Sequence, residues 1–134
     1  MKIIKMFKPA LLLAIILYQG TAFAYSPEEL EKNCKKPRFT DFNLSEYLAP
    51  SNIETPPESE FIIKVSAWAD PSTIQLTVKK QPLDFKLQST STFHKITAKL
   101  PASVNGNFVR IDISAKAVLG CSDKTGWLIK VANP

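Results

Sequence analysis

Histidine occurs once in the sequence, at position 94, and cysteine twice, at 34 and 121. That scarcity argues against multi-histidine metal sites, zinc clusters and cysteine–histidine catalysis. A cupredoxin-type copper site needs two histidines and a thiolate, and the chain does not supply them. Cys-x-x-Cys spacing, a Gly-x-Ser-x-Gly nucleophile setting and an Asp-x-Asp-x-Asp calcium loop are all missing. With 4 glycines and 10 prolines in 134 residues, the chain is not of low complexity. It has no internal repeat and no helical period of useful length.

A globular balance is present, with 45% hydrophobic and 22% charged residues, enough for one domain. The net charge of +5 is misleading. Lys2, Lys5 and Lys8 precede an apolar run from Pro9 to Leu17, and Ala22-Phe23-Ala24 follows. This is the order of a secretory signal peptide, and the run is shorter than the roughly 20 residues of a membrane span. Cleavage after Ala24 is expected, leaving residues 25–134 without a stable membrane span. The mature chain then holds 14 basic and 12 acidic residues, a net +2, so a nucleic-acid footprint is not supported. A periplasmic or extracellular location follows.

An exported compartment is oxidising, and two cysteines in a small domain there fit one disulfide. Joining Cys34 to Cys121 would enclose most of the domain, worth about 4–5 kcal/mol by loop closure.

Ser26-Pro27-Glu28-Glu29 is the signature of a short N-terminal helix. Residues 25–58 read as that helix plus an extended, loop-rich lead segment, with Phe39, Phe42 and Leu44 as anchors. From residue 59 to 134 the period is two. The expected strands are Phe61–Trp68, Ile74–Lys79, Leu83–Leu87, His94–Leu100, Phe108–Ala115 and Trp127–Val131, plus one near Phe39. Short strands at this spacing imply an all-β antiparallel sandwich of about seven strands. The run Asp70 to Val78 followed by Gln81-Pro82-Leu83, and then Leu100-Pro101-Ala102 and Asn105 to Ile111, resembles bacterial immunoglobulin-like modules of the fibronectin type III kind. The resemblance implies a fold and leaves function open. Such modules serve as adhesion repeats, spacers and small binding proteins. The cysteines depart from the antibody pattern, because they do not sit on two facing central strands.

No constellation for catalysis stands out. His94 reads as an ordinary surface or edge-strand histidine, since a general base needs a nucleophile or an orienting carboxylate beside it. Glu54, Glu58 and Glu60 read as keeping a strand entrance soluble. Asp84 and Asp112 sit in strand-like runs, and a glycosidase would need such a pair to face one cleft. Lys32, Lys35, Lys36 and Arg38 around Cys34 are the densest charge of the mature chain; they read first as a solvated segment and otherwise suit an anionic surface such as phospholipid, acidic glycan or an acidic protein. Trp68 and Trp127, each read at a strand end beside a turn, fit the core of a domain this small first, and otherwise suit stacking on a sugar or filling a partner's pocket.

These residues favour an exported, non-enzymatic binding or accessory protein with Trp68, Trp127, Lys35, Lys36 and Arg38 as contacts. A protein or glycan of the cell envelope is the expected partner, with no cofactor and no metal. The alternative is a structural subunit of an envelope or pilus-like assembly, with Lys35–Leu48 as a donated segment. A carboxylate-based hydrolase ranks third.

Overall fold

The computed structural model describes residues 33–134. The export signal expected at residues 1–24 and the helix expected at Ser26 lie outside the described residues. Among the described residues the strands are β1 (Phe39–Thr40), β2 (Glu60–Ser66), β3 (Gln75–Val78), β4 (Gln81–Pro82), β5 (Lys86–Ser89), β6 (Phe93–Lys99), β7 (Phe108–Lys116) and β8 (Ser122–Lys130). They form two antiparallel four-stranded sheets, ordered β1-β2-β6-β5 and β4-β3-β7-β8. This is the pairing of an immunoglobulin-like sandwich.

Strict alternation builds the core. Phe61, Ile63 and Val65 of β2 and Ile96 and Ala98 of β6 turn inward from the first sheet. Leu76 and Val78 of β3, Val109, Ile111, Ile113 and Ala115 of β7, and Ile129 of β8 turn inward from the second. All are buried, and they pack into one cluster. β-branched residues dominate it, as suits a pleated, buried face.

Two boundaries differ from expectation. The last strand starts at Ser122, not Trp127, because β8 pairs with all nine residues of β7, from Lys116↔Ser122 to Phe108↔Lys130. Partner pairing overrides the weak strand preference of Ser122-Asp123-Lys124. The run Leu83–Leu87 is not one strand. Lys79 and Lys80 take φ of 53° and 62° and fold β4 back on β3. Both central residues at positive φ make the turn type that matches hairpin twist, here without the Asn-Gly signal that usually announces it. Leu83 and Phe85 then pack on the rim of the core, and β5 joins the other sheet.

The lead segment closes the sandwich on both sheets. β1 pairs with β2 through Phe39↔Val65. Phe42 stacks on Trp127 at 4.2 Å between ring centres and meets Phe61 edge-on at 6.0 Å. The Ile62 amide donates to Asn43 Oδ1 at 2.8 Å, and the Tyr47 amide to Leu128 O at 3.0 Å. Further on, Thr55 bridges in parallel to Val131. The Lys35–Leu48 stretch is thus engaged within its own chain.

Candidate functional site

Three segments meet at the end of the sandwich where β2 and β7 finish and β6 and β8 begin. They are the lead residues Cys34–Arg38, the connection 67–74 after β2, and the loop 117–121 between β7 and β8. Each is tied to the others. A Cys34–Cys121 disulfide joins the lead to the loop, with Cα atoms 6.0 Å apart. Ala69 pairs with Ala117, and the Asp70 amide donates to Lys116 O at 2.8 Å. The Arg38 amide donates to Ser66 Oγ at 3.0 Å.

Trp68 lies at the centre of this end. Its indole Nε1 donates to Lys36 O at 2.8 Å, and its own carbonyl accepts the Val118 amide at 3.1 Å. The Lys35 ammonium sits over the indole ring, 3.7 Å from its centre. At an exposed site such a cation–π contact is worth about 0.5–1 kcal/mol. Trp68 is half-buried, with the Lys35 charge over its ring.

The loop itself is a tight, braced turn. The Gly120 amide donates to Ala117 O at 2.8 Å and the Ala117 amide to Cys121 O at 2.7 Å. Gly120 takes φ 102°, a backbone angle that L side chains rarely adopt. Ala117 is buried under the turn, whereas Val118 and Leu119 at its corner are 75% and 76% exposed. Sequence reasoning missed these two residues. The signal was an apolar pair between Lys116 and Gly120, where a surface turn ordinarily carries polar residues.

His94 is corrected from surface or edge-strand histidine to a buried residue of β6, the strand between β2 and β5. Its Nε2 lies 3.1 Å from Ala69 O and 3.3 Å from Ala67 O, and Ser89 Oγ lies 2.7 Å from Nδ1. Two carbonyls at Nε2 call for a donor there, so Nδ1 accepts from the Ser89 hydroxyl. A hydroxyl on an imidazole is one half of a nucleophile–base pair. Here backbone carbonyls orient the ring, and the histidine braces the two residues that flank Trp68. The alternation at Ile96 and Ala98, extended back by two residues, already placed position 94 on the inward face.

Asp70 caps the turn that follows. Its carboxyl is held below the ordinary value of 3.8, first by the Ser72 hydroxyl and next by the Ser72 amide. The hydroxyl contact is 2.7 Å and the amide contact 3.0 Å.

The other expected site residues divide. Lys35, Lys36 and Trp68 come together at the loop end, with Arg38 next along the lead. Trp127 does not join them. It sits inside β8, opposite Ile111, five residues or roughly 17 Å along the strand from Ser122. Its ring forms one wall of a shallow 490 Å³ depression with Phe42, Leu44 and Leu48. Asp84 and Asp112 line different depressions and face no common cleft. Asp112 instead pairs with Arg110 at 2.9 Å, across Gly126, where a Cβ would collide with both side chains. Among the described residues no group of three or more His, Cys, Asp or Glu side chains comes together as a metal site. No described helix is long and apolar enough to cross a membrane. No family model, characterised protein or solved structure matches the chain.

Proposed function

We propose that the chain is an exported, non-enzymatic binding protein that engages an envelope partner through the loop end of its sandwich. The observation that carries this reading is the braced turn holding Val118 and Leu119 in solvent beside Trp68 and Lys35. Free energy that would normally favour burying two large apolar side chains is left unused, and the disulfide and four backbone bonds prevent the turn from folding them away. Preorganised surfaces of this kind lose little entropy on binding. Support for export comes from the basic, apolar, Ala-x-Ala order of residues 1–24 and from a disulfide suited to an oxidising compartment.

A photo-crosslinking amino acid placed at position 119, and separately at position 75 on the outer face of the second sheet, tests the reading in intact cells. Adducts are expected from 119 and not from 75. Adducts from 75 alone, or from neither, would refute it. Mass spectrometry of the purified protein reads the export step directly, with Tyr25 expected as the first residue.

A further inference from the structure

Resting on that reading, we propose that the loop end docks on an anionic phospholipid surface. Val118 and Leu119 enter the boundary between headgroups and acyl chains, and Lys35, Lys36, Arg38 and Lys116 lie over the lipid phosphates.

The first support is shape. Val118 and Leu119 are the most exposed large apolar residues of the described chain. They stand on the corner of a turn whose base is locked by a disulfide and by bonds from Ala117, Val118 and Gly120. A convex tip of two side chains has too little area for a standard protein interface, which needs about 800 Å² on each side. A fluid boundary layer closes around such a tip without needing a matching pocket. An acidic glycan offers charge but no apolar interior for the two side chains.

Charge is the second support. Lys35, Lys36, Arg38 and Lys116 are all exposed, and none takes part in the ion pairs of the described residues, which are Lys64–Asp41 and Arg110–Asp112. Two acids flank the tip, and both carboxylates are engaged with backbone amides. Asp70 accepts from the Ser72 amide and Asp123 from the Lys124 amide. Both acids stay charged, so four cations against two carboxylates leave the loop end with a net positive face toward an anionic surface. Trp68 completes the arrangement, because an indole with one polar and one apolar edge favours the membrane interface. Its Nε1 is already satisfied by Lys36 O, so entering the interface leaves no donor unpaired.

Such a surface gives weak, reversible attachment and not a permanent anchor. The test uses the exported protein and vesicles of phosphatidylcholine with and without 30% phosphatidylglycerol, read by co-sedimentation. Binding is expected to the anionic vesicles only, and to weaken as salt shortens the Debye length. Lys35→Gln with Lys36→Gln should lower the partition coefficient about 30-fold, at about fivefold per lysine. Val118→Asp with Leu119→Asp should lower it at least tenfold. Both pairs are exposed, and unchanged melting curves confirm that the fold is kept. Absence of binding to the anionic vesicles overturns the proposal. So does binding that survives the aspartate variant, since that is surface adsorption without insertion. Protein adducts from position 119 together with no vesicle binding would keep the loop end as the binding surface and discard lipid as its partner.

Discussion

Replacing both cysteines, Cys34→Ala with Cys121→Ala, should cost the domain a large part of its stability. The bridged residues are 87 apart, and only β8 and the tail follow the second cysteine. Closing a loop of that length removes denatured-chain entropy worth about 4.5 kcal/mol at 25 °C. Native proteins of this size have only about 5–15 kcal/mol in all. For a domain of 60–100 residues each kcal/mol moves the midpoint by about 4–8 °C, so a fall of roughly 20–30 °C is expected. Urea unfolding separates this entropic account from a local one. The uncrosslinked denatured chain exposes more surface, so the slope of free energy against urea should steepen while the midpoint drops. The loop end adds a second readout. Without the bridge, amides 117–121 should exchange faster than those of β7. Midpoints within 5 °C of each other, with equal urea slopes, would refute the reasoning and leave the bridge a local clamp on the Val118–Leu119 turn.

Two further outcomes follow from single side chains. Trp127→Ala should cost about 2–4 kcal/mol in urea unfolding, because it removes the 4.2 Å stack on Phe42 and uncovers the rim of the core. Trp68→Ala should cost less, since that ring is tied by one indole bond and one lysine contact; the reverse order would show that Trp68 is the structural residue and Trp127 the dispensable one. Asp70 carries the acid sensitivity of the loop end. A carboxyl lowered in the folded state stabilises it above the ordinary value of 3.8, and that contribution is lost as pH falls through the lowered value. Carbon NMR titration should place Asp70 below 3.8 in the parent chain and closer to it in Ser72→Ala, which lacks the leading hydroxyl donor; identical titrations would remove Ser72 as the cause.

Much of the sandwich was readable in one dimension because burial on a sheet imposes a period of two. Phe61, Ile63 and Val65, then Ile74, Leu76 and Val78, then Val109, Ile111, Ile113 and Ala115 alternate in sequence and are all buried in the structure. The period fails where an edge or a turn decides. The turn expected at Lys80-Gln81-Pro82 falls one residue earlier, at Lys79-Lys80, with no Asn-Gly to mark it, and the polar start of β8 becomes strand only through its partner. The site was half readable. A charge run announces Lys35, Lys36 and Arg38, and a cysteine pair behind a signal-like leader announces the bridge. The contacts that assemble the loop end, such as Lys35 over Trp68 and Cys34 with Cys121, reach across 33 to 87 residues, which no local pattern encodes.

Composition and alternation therefore settle the architecture: two half-buried sheets, a shared core and a scarcity of ligating side chains. The sheets and their shared core follow from the cost of leaving apolar faces in water, which every strand registers locally. Where the proposed binding surface lies is a matter of assembly. The two tryptophans look alike in sequence, yet Trp127 is turned onto Phe42 and Trp68 is turned out beside Lys35. Val118 and Leu119 look like core residues and are held in solvent, because the disulfide and the bonds around Ala117 leave them no inward path. His94, read from the chain alone as a surface residue, braces that end from inside through two backbone carbonyls.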